Sequence, residues 1–384
     1  MSGAVARGFG LAALVSPLPL ATFLSERWPH ASHVSHGSVD RFGGLAAIPA
    51  LENVEALLGV TPSDSEVVLF GPDGFRSAVP SRVAIDFYRR GDTLYFTNVE
   101  RHVPELLPFR TQLASDVGLP VSSLVCEAFA SAPGASSSMH YDFDVNFNVL
   151  LSGSKHWQLA LNDQIEAPEQ SFVVGHSPWL ESAISKRGAP PVPPADPIQR
   201  EVARAGSVVF LPRGIWHETH AETACFGVNF TFKPRCWYQL IAQALAVRLR
   251  EDARFRAYPF GALSAGTRSG MAAQIDELLP LAVERLKELS FEEVALAFQA
   301  PRYRWREDVP ATFDESTGHL TTASGATLAI DEPLWPLARA LTTLYGTFSP
   351  NDLIGRNVGL GLGQMHVALR TLCDADLLRP MKSR

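Results

Sequence analysis

Three side chains in this sequence could share one metal ion: His140 and Asp142, two residues apart, and His217, which follows the run SVVFLPRGIW. On a strand, residues i and i+2 leave the same face, so His140 and Asp142 present their donors together while Tyr141 points away. A histidine from a neighbouring strand completes a face of three. Two imidazoles and one carboxylate fill half of an octahedral iron(II) and leave three positions for a bidentate co-substrate and O2, as in oxygenases. The tripeptide alone says little. With 11 histidines and 40 acids in 384 residues, about one H-x-[DE] match is expected by chance, and a second, His220 with Glu222, is present. That pair is the weaker one, because His217 and His220 are three apart and face opposite ways on a strand.

The surroundings of His140 are more specific. They read SSMHYDFDVNFNVLLSGSKHWQLAL: an H-x-D, the apolar run FNVLL, then Gly153, Lys155 and Trp157. The second histidine ends Leu211-Pro212-Arg213-Gly214-Ile215-Trp216-His217. These motifs, with most of 80–235, resemble the JmjC-type cupin oxygenases that depend on iron(II) and 2-oxoglutarate. The likeness is closest to their ribosomal-oxygenase branch and extends in part to the asparaginyl hydroxylase that inhibits hypoxia-inducible factor.

The resemblance implies a β-rich double-stranded β-helix (cupin/JmjC) barrel with His140, Asp142 and His217 as its metal-binding catalytic centre. Lys155, a cation at the end of the next strand that can reach inside the barrel, is assigned to the distal carboxylate of 2-oxoglutarate, with Arg213 and Lys233 as fallback anchors. Ser137 and Asn146 occupy positions similar to co-substrate hydrogen-bonding positions of the asparaginyl hydroxylase. Asn229, on the strand after His217, is expected to face the pocket. The competing readings are a solvated hairpin lysine for Lys155 and ordinary strand or turn polar residues for the other three. Pro-Arg-Gly is also turn chemistry, so Gly214 can simply permit the bend that aims His217 inward. Trp28, Trp179, Trp216, Trp237 and Phe143 are expected in core or wall rather than as specific readers.

The chemistry implied is a dioxygenase reaction: 2-oxoglutarate and O2 give succinate and CO2, and a side chain is hydroxylated. In the family the substrates are mostly protein side chains, often on ribosomal proteins, with arginine or histidine the leading candidates. Asn146 and the VNF run are closer to the asparaginyl hydroxylase, which leaves the substrate open. The rival readings are the same chemistry on a small molecule or biosynthetic precursor peptide, N-demethylation by the same route, and a catalytically silent cupin used as a binding module.

Elements must hold these residues in place. Before about residue 235 the apolar residues come in short β-branched or aromatic runs: VAIDFYR (83–89), TLYFTNV (93–99), SLVCEAFA (123–130), VNFNVLL (145–151), HWQLAL (156–161), SVVFLP (207–212) and FGVNFTF (226–232). Gly, Pro, Asn and Ser separate them, the pattern of a sandwich or barrel. One helix is expected near 103–117, and the proline-rich stretch 168–197 reads as an irregular, functional loop. After Pro234 the period changes to about 3.6. One stripe is Trp237, Leu240, Ile241, Ala244, Leu245 and Leu249; a second is Ile275, Leu278, Leu279, Ala282, Leu286 and Leu289. From about 306 a hairpin (311–330) precedes helical stripes at 334–344 and 362–372. The division expected is a catalytic domain 1–235, a helical dimerisation domain 236–305 and a winged-helix-like C-terminal α+β domain 306–384. The last is slightly acidic and reads as a protein-contact module rather than a DNA reader.

At 384 residues, 46% hydrophobic and 19% charged, the chain is long enough for two or three domains and too apolar for disorder. Its net charge of −7 argues against direct nucleic-acid binding through phosphates and suits a basic protein or peptide partner. Four cysteines without a CxxC pair suggest a reducing compartment and no structural zinc. The apolar run after Arg7 is cut by Pro17 and Pro19, too short for a signal core or a membrane span, so a cytoplasmic protein that forms a homodimer is expected.

Overall fold

The computed structural model describes residues 8–71, 76–175, 189–195, 199–259, 268–298, 302–307, 309–344, 346–348, 353 and 362–381. Trp179 and most of the 178–197 loop lie outside the described residues. The chain divides into two units, Met1–Pro234 and Arg235–Arg384.

The strands of the first unit are β1 (His33–Ser35), β2 (Glu66–Phe70), β3 (Arg76–Pro80), β4 (Thr93–Phe96), β5 (Leu124–Ser131), β6 (Ser136–Tyr141) and β7 (Val145–Ser152). They continue with β8 (Ser154–Ala160), β9 (Phe172–Val173), β10 (Gln199–Arg204), β11 (Val208–Leu211), β12 (Trp216–Ala221) and β13 (Cys225–Phe232). Eight pair in the order β1-β11-β7-β13-β5-β4-β2-β3 and five as β10-β8-β12-β6-β9, every pair antiparallel.

The sequence dictates which face of the large sheet is wet. On β7, Phe147, Val149 and Leu151 join the apolar core while Asn146 and Asn148 line a cavity; on β13, Val228, Phe230 and Phe232 join the core while Asn229 and Thr231 line the cavity. This alternation is the period-two pattern of a sheet with one apolar and one polar face. Every residue of β13 is nevertheless buried, because the apolar face is covered from outside. Leu14, Phe23, Phe42 and Phe109 belong to the same core, and Trp28 stacks on Phe147 at 6.2 Å.

The run 83–89, expected as a strand, belongs to the helix Ser81–Arg89. Its charged residues Arg82, Asp86 and Arg89 recur at steps of four and three, the solvent face of a helix, and Arg89 and Asp86 pair at 3.7 Å. β-branched composition loses here to the helical period. The helix expected near 103–117 is Leu107–Asp116, but Leu11–Val15, Leu20–Glu26 and Val54–Val60 are helical as well.

In the second unit, helices Trp237–Leu249, Arg268–Lys287 and Phe291–Phe298 precede a small three-stranded sheet in which Arg302–Trp305 lies between Thr347–Phe348 and Leu378–Met381. The expected hairpin at 311–330 is a three-stranded meander, Thr312–Asp314, His319–Thr321 and Thr327–Ala329. Helices Trp335–Thr342 and Leu362–Asp374 share a core with Trp305, Leu320 and Phe348. Of the first helical stripe Leu240 and Ala244 are buried, but Trp237, expected in core or wall, is 67% exposed. Ile275, Leu279 and Leu286 of the second stripe are exposed too.

Candidate metal centre and co-substrate cavity

The end of β6 and the start of β12 lie side by side, with His140 directly opposite His217, and their ring centres are 4.1 Å apart. Asp142 follows one residue beyond β6, and its Oδ2 lies 3.7 Å from His217 Nε2. One donor atom from each of the three lies within 4.8 Å of the others; among the described residues no other group of three or more His, Cys, Asp or Glu does so. Tyr141 is turned to the opposite side, fully buried edge-on against Trp216 at 4.8 Å.

The surroundings fix which atom each ligand offers. His140 Nδ1 donates to the Ser138 carbonyl at 2.7 Å and His217 Nδ1 to the Ile215 carbonyl at 3.0 Å, an assignment that leaves both Nε2 atoms as bare acceptors. Asp142 Oδ1 accepts from Ser171 Oγ at 2.9 Å. Its carbonyl accepts from the Gly214 amide at 2.8 Å, tying the two ligand-bearing segments together. Burial and the facing His217 hold His140 well below the ordinary histidine range. Burial also lowers the pKa of His217, which favours its neutral form. Burial pushes Asp142 up, but His140 and His217 outweigh it and hold the carboxyl below its usual range. Two neutral imidazoles and one carboxylate are the protonation states a divalent cation requires, so these residues fit the metal that their spacing implies.

The triad opens on a cavity of about 240 Å³ between the two sheets, into which Lys155, Asn146, Asn229 and Ser137 also project. Lys155 is buried; its Nζ donates to Ser131 Oγ at 3.2 Å and lies 5.8–5.9 Å from the rings of Trp157 and Phe129. Burial lowers its pKa to about 8. No carboxylate pairs with it among the described salt bridges, so this buried ammonium suits an anion brought in from outside. Asn146 Oδ1 and Asn229 Oδ1 are buried without hydrogen-bond partners. Ser137 Oγ meets Thr219 Oγ1 at 2.9 Å and accepts from the Thr219 amide at 3.0 Å.

The two fallback anchors are occupied elsewhere. Arg213 donates through Nε to the Pro168 carbonyl at 2.6 Å, beside Gly214 with φ 85°, and is not among the cavity residues. Lys233 lines the cavity between Glu127 at 3.4 Å and Asp144 at 3.2 Å. His220 points outward to Ser136 Oγ at 2.9 Å. Glu222 meets Ser154 Oγ at 2.7 Å and His156 at 3.7 Å, so the second H-x-E stays apart from the triad. Phe143 is 41% exposed at the cavity.

Arg76, Thr93, Tyr95, Glu127 and Asp144 also line the cavity, and none was singled out by the motifs. Most reach it from strands far from His140 in sequence. Asp144 had a visible signal as the second acid of H-x-D-x-D.

Residues 107–240 match the family model described as JmjC domain. The fold is that of the JmjC cupins, and the matched segment carries all three residues of the triad. A curated protein of Bacillus subtilis (strain 168), "Uncharacterized protein YxbC", is 26% identical over 295 residues, covering 74% of this chain and 89% of its own. Among solved structures, the Escherichia coli ribosomal oxygenase YcfD in complex with cobalt and 2-oxoglutarate is similar at TM-score 0.50 and 14% identity, over 94% of this chain and 98% of that one. YcfD in complex with cobalt and succinic acid is similar at TM-score 0.47 and 15% identity, with the same coverage.

Proposed function

We propose that this chain is an iron(II)- and 2-oxoglutarate-dependent dioxygenase that hydroxylates a side chain of a protein or peptide. The observation that carries the reading is the sharing of one cavity by a face of two imidazoles and one carboxylate and a buried lysine with no carboxylate partner among the described residues. The triad holds the metal through His140 Nε2, His217 Nε2 and an Asp142 oxygen. Iron(II) with 2-oxoglutarate and O2 supplies oxidative decarboxylation to succinate and CO2, coupled to insertion of one oxygen atom into an unactivated C–H bond.

The protein contributes position and exclusion of water. Lys155 receives the distal carboxylate, with Ser131 holding its ammonium. Asn146 and Asn229 lie along the cavity wall where the rest of the co-substrate extends. Ser171 and the two backbone carbonyls orient the ligands. A basic polypeptide, with a ribosomal-protein arginine or histidine first on the panel, suits the net charge of −7. A cytoplasmic homodimer divided at 1–235, 236–305 and 306–384 completes the reading.

The test is succinate release with iron(II), 2-oxoglutarate and a panel of ribosomal-protein peptides, with the peptides then weighed. A gain of one oxygen mass on a peptide is the expected result. Absence of both succinate and metal binding in the purified protein would overturn the enzyme reading in favour of a silent cupin.

A further inference from the structure

One wall of the cavity has no part in the scheme above. Glu127 on β5, Lys233 just past β13 and Asp144 in the β6–β7 turn form a chain of charges in which the two acids are buried and Lys233 reaches in from an exposed position. Glu127 is well supplied: Oε2 accepts from Thr231 Oγ1 at 2.6 Å, Oε1 faces Lys233, and Tyr95 donates a further hydrogen bond. Lys233 divides its charge between the two acids. Asp144 therefore has one oxygen, Oδ2, on Lys233, while Oδ1 is buried without a partner in a residue only 9% exposed.

Two carboxylates against one ammonium leave an excess of one negative charge, and the unpartnered oxygen places it at Asp144 Oδ1. Among the described contacts no second cation pairs with Asp144: Lys155 donates to Ser131, and Arg76 lies over the Phe70 ring at 4.6 Å. A buried carboxylate oxygen without a donor is costly, and the group that relieves it is an N–H carrying positive charge.

The geometry points to a substrate-recognition subsite in which Asp144 Oδ1 accepts a hydrogen bond from a cationic N–H group, a guanidinium or ammonium, brought in next to the metal ligand Asp142. Asp144 is then the residue that determines specificity, and Lys233 is a positioning residue that holds Oδ2 so that Oδ1 faces the cavity. The inference rests on the oxygenase reading only in taking the bound group as part of the substrate.

The test measures binding rather than turnover. Nα-acetyl-arginine amide, the citrulline amide that keeps the N–H groups without the charge, and the norleucine amide are titrated into the full chain. Saturation-transfer NMR reads them with and without Mn(II) and 2-oxoglutarate. Arginine should bind best and norleucine worst. Asp144→Asn should cut the arginine advantage by about tenfold, as expected for loss of a charge-assisted hydrogen bond. Equal binding of arginine and norleucine to the wild-type chain overturns the subsite, even where a variant fails to fold. An undiminished arginine advantage in a folded Asp144→Asn overturns it too. Failure of the oxygenase reading appears separately, in the succinate assay, and leaves these ratios unaffected.

Discussion

The co-substrate role proposed for Lys155 predicts a measurable pH dependence. Only its ammonium attracts a carboxylate, and burial lowers its pKa to about 8. Lys155 is thus cationic below that pH and loses its charge above it. The kcat/KM for 2-oxoglutarate should fall as pH rises through about 8, because this ratio reports the ionisations of the free enzyme. In Lys155→Arg the limb should vanish, since a guanidinium stays protonated; a limb unchanged in that variant would assign it to another group. Lys155→Ala should raise the 2-oxoglutarate requirement at every pH. At the metal, His140→Ala should weaken Mn(II) binding, read by titration, by more than the roughly 10–100-fold typical of losing an outer partner. The triad was legible because its information is local: two residues at strand spacing and a motif that ends on the second histidine. Thr93 and Ser131 were not, since only the β4–β5 register sets them opposite each other, 3.1 Å apart at their hydroxyls, and so behind Lys155. Asp144 was visible as an acid, but its missing partner depends on where Lys233 ends up.

Between β7 and β8 the chain reverses at Gly153, with φ 83°. A Cβ there would run into the Ala224 carbonyl and come within 2.8 Å of Cys225 Cα. Gly153→Ala combines left-handed strain with a backbone clash and should cost about 2 kcal/mol or more in a denaturant melt. Because this turn feeds β8, which carries Lys155, the 2-oxoglutarate requirement should rise with it; a melt unchanged within error would contradict the geometry. Most runs read as strands from alternation and turn residues are strands, since Asn146 and Asn148 in β7, and Asn229 and Thr231 in β13, alternate with apolar residues and have to face something wet. The helix Ser81–Arg89 was hidden by its Val, Ile, Phe and Tyr. The spacing of Arg82, Asp86 and Arg89 was the better signal, because charges report the solvent face directly.

For the molecule as a whole, sequence period separates a β-rich first part from a helical second part, and the chain's division at Pro234 and Arg235 falls where that period changes. Side chains at helical spacing proved harder to place. Ile275, Leu279 and Leu286 repeat as core residues do, yet all are exposed within their unit; periodicity identifies an apolar face without saying what covers it. If a second copy does, light scattering should give about twice 41.8 kDa, and Leu279→Glu should return the protein to its monomer mass with its first unit still folded. A wild-type monomer at micromolar concentration would rule the dimer out. Among the described residues no helix is long and apolar enough to cross a membrane.

The bond from the Gly214 amide to the Asp142 carbonyl, 2.8 Å long, makes the metal site a preorganised one. It joins the two ligand-bearing segments through main chain alone, so the site's shape does not depend on the ion. Metal uptake should then be decoupled from folding: a chelator-treated protein should melt in the same cooperative transition. The metal should raise its midpoint only by the mass-action increment of a ligand that binds the native state. Hydrogen exchange at the Gly214 amide gives the direct reading, with strong protection expected before any metal is added.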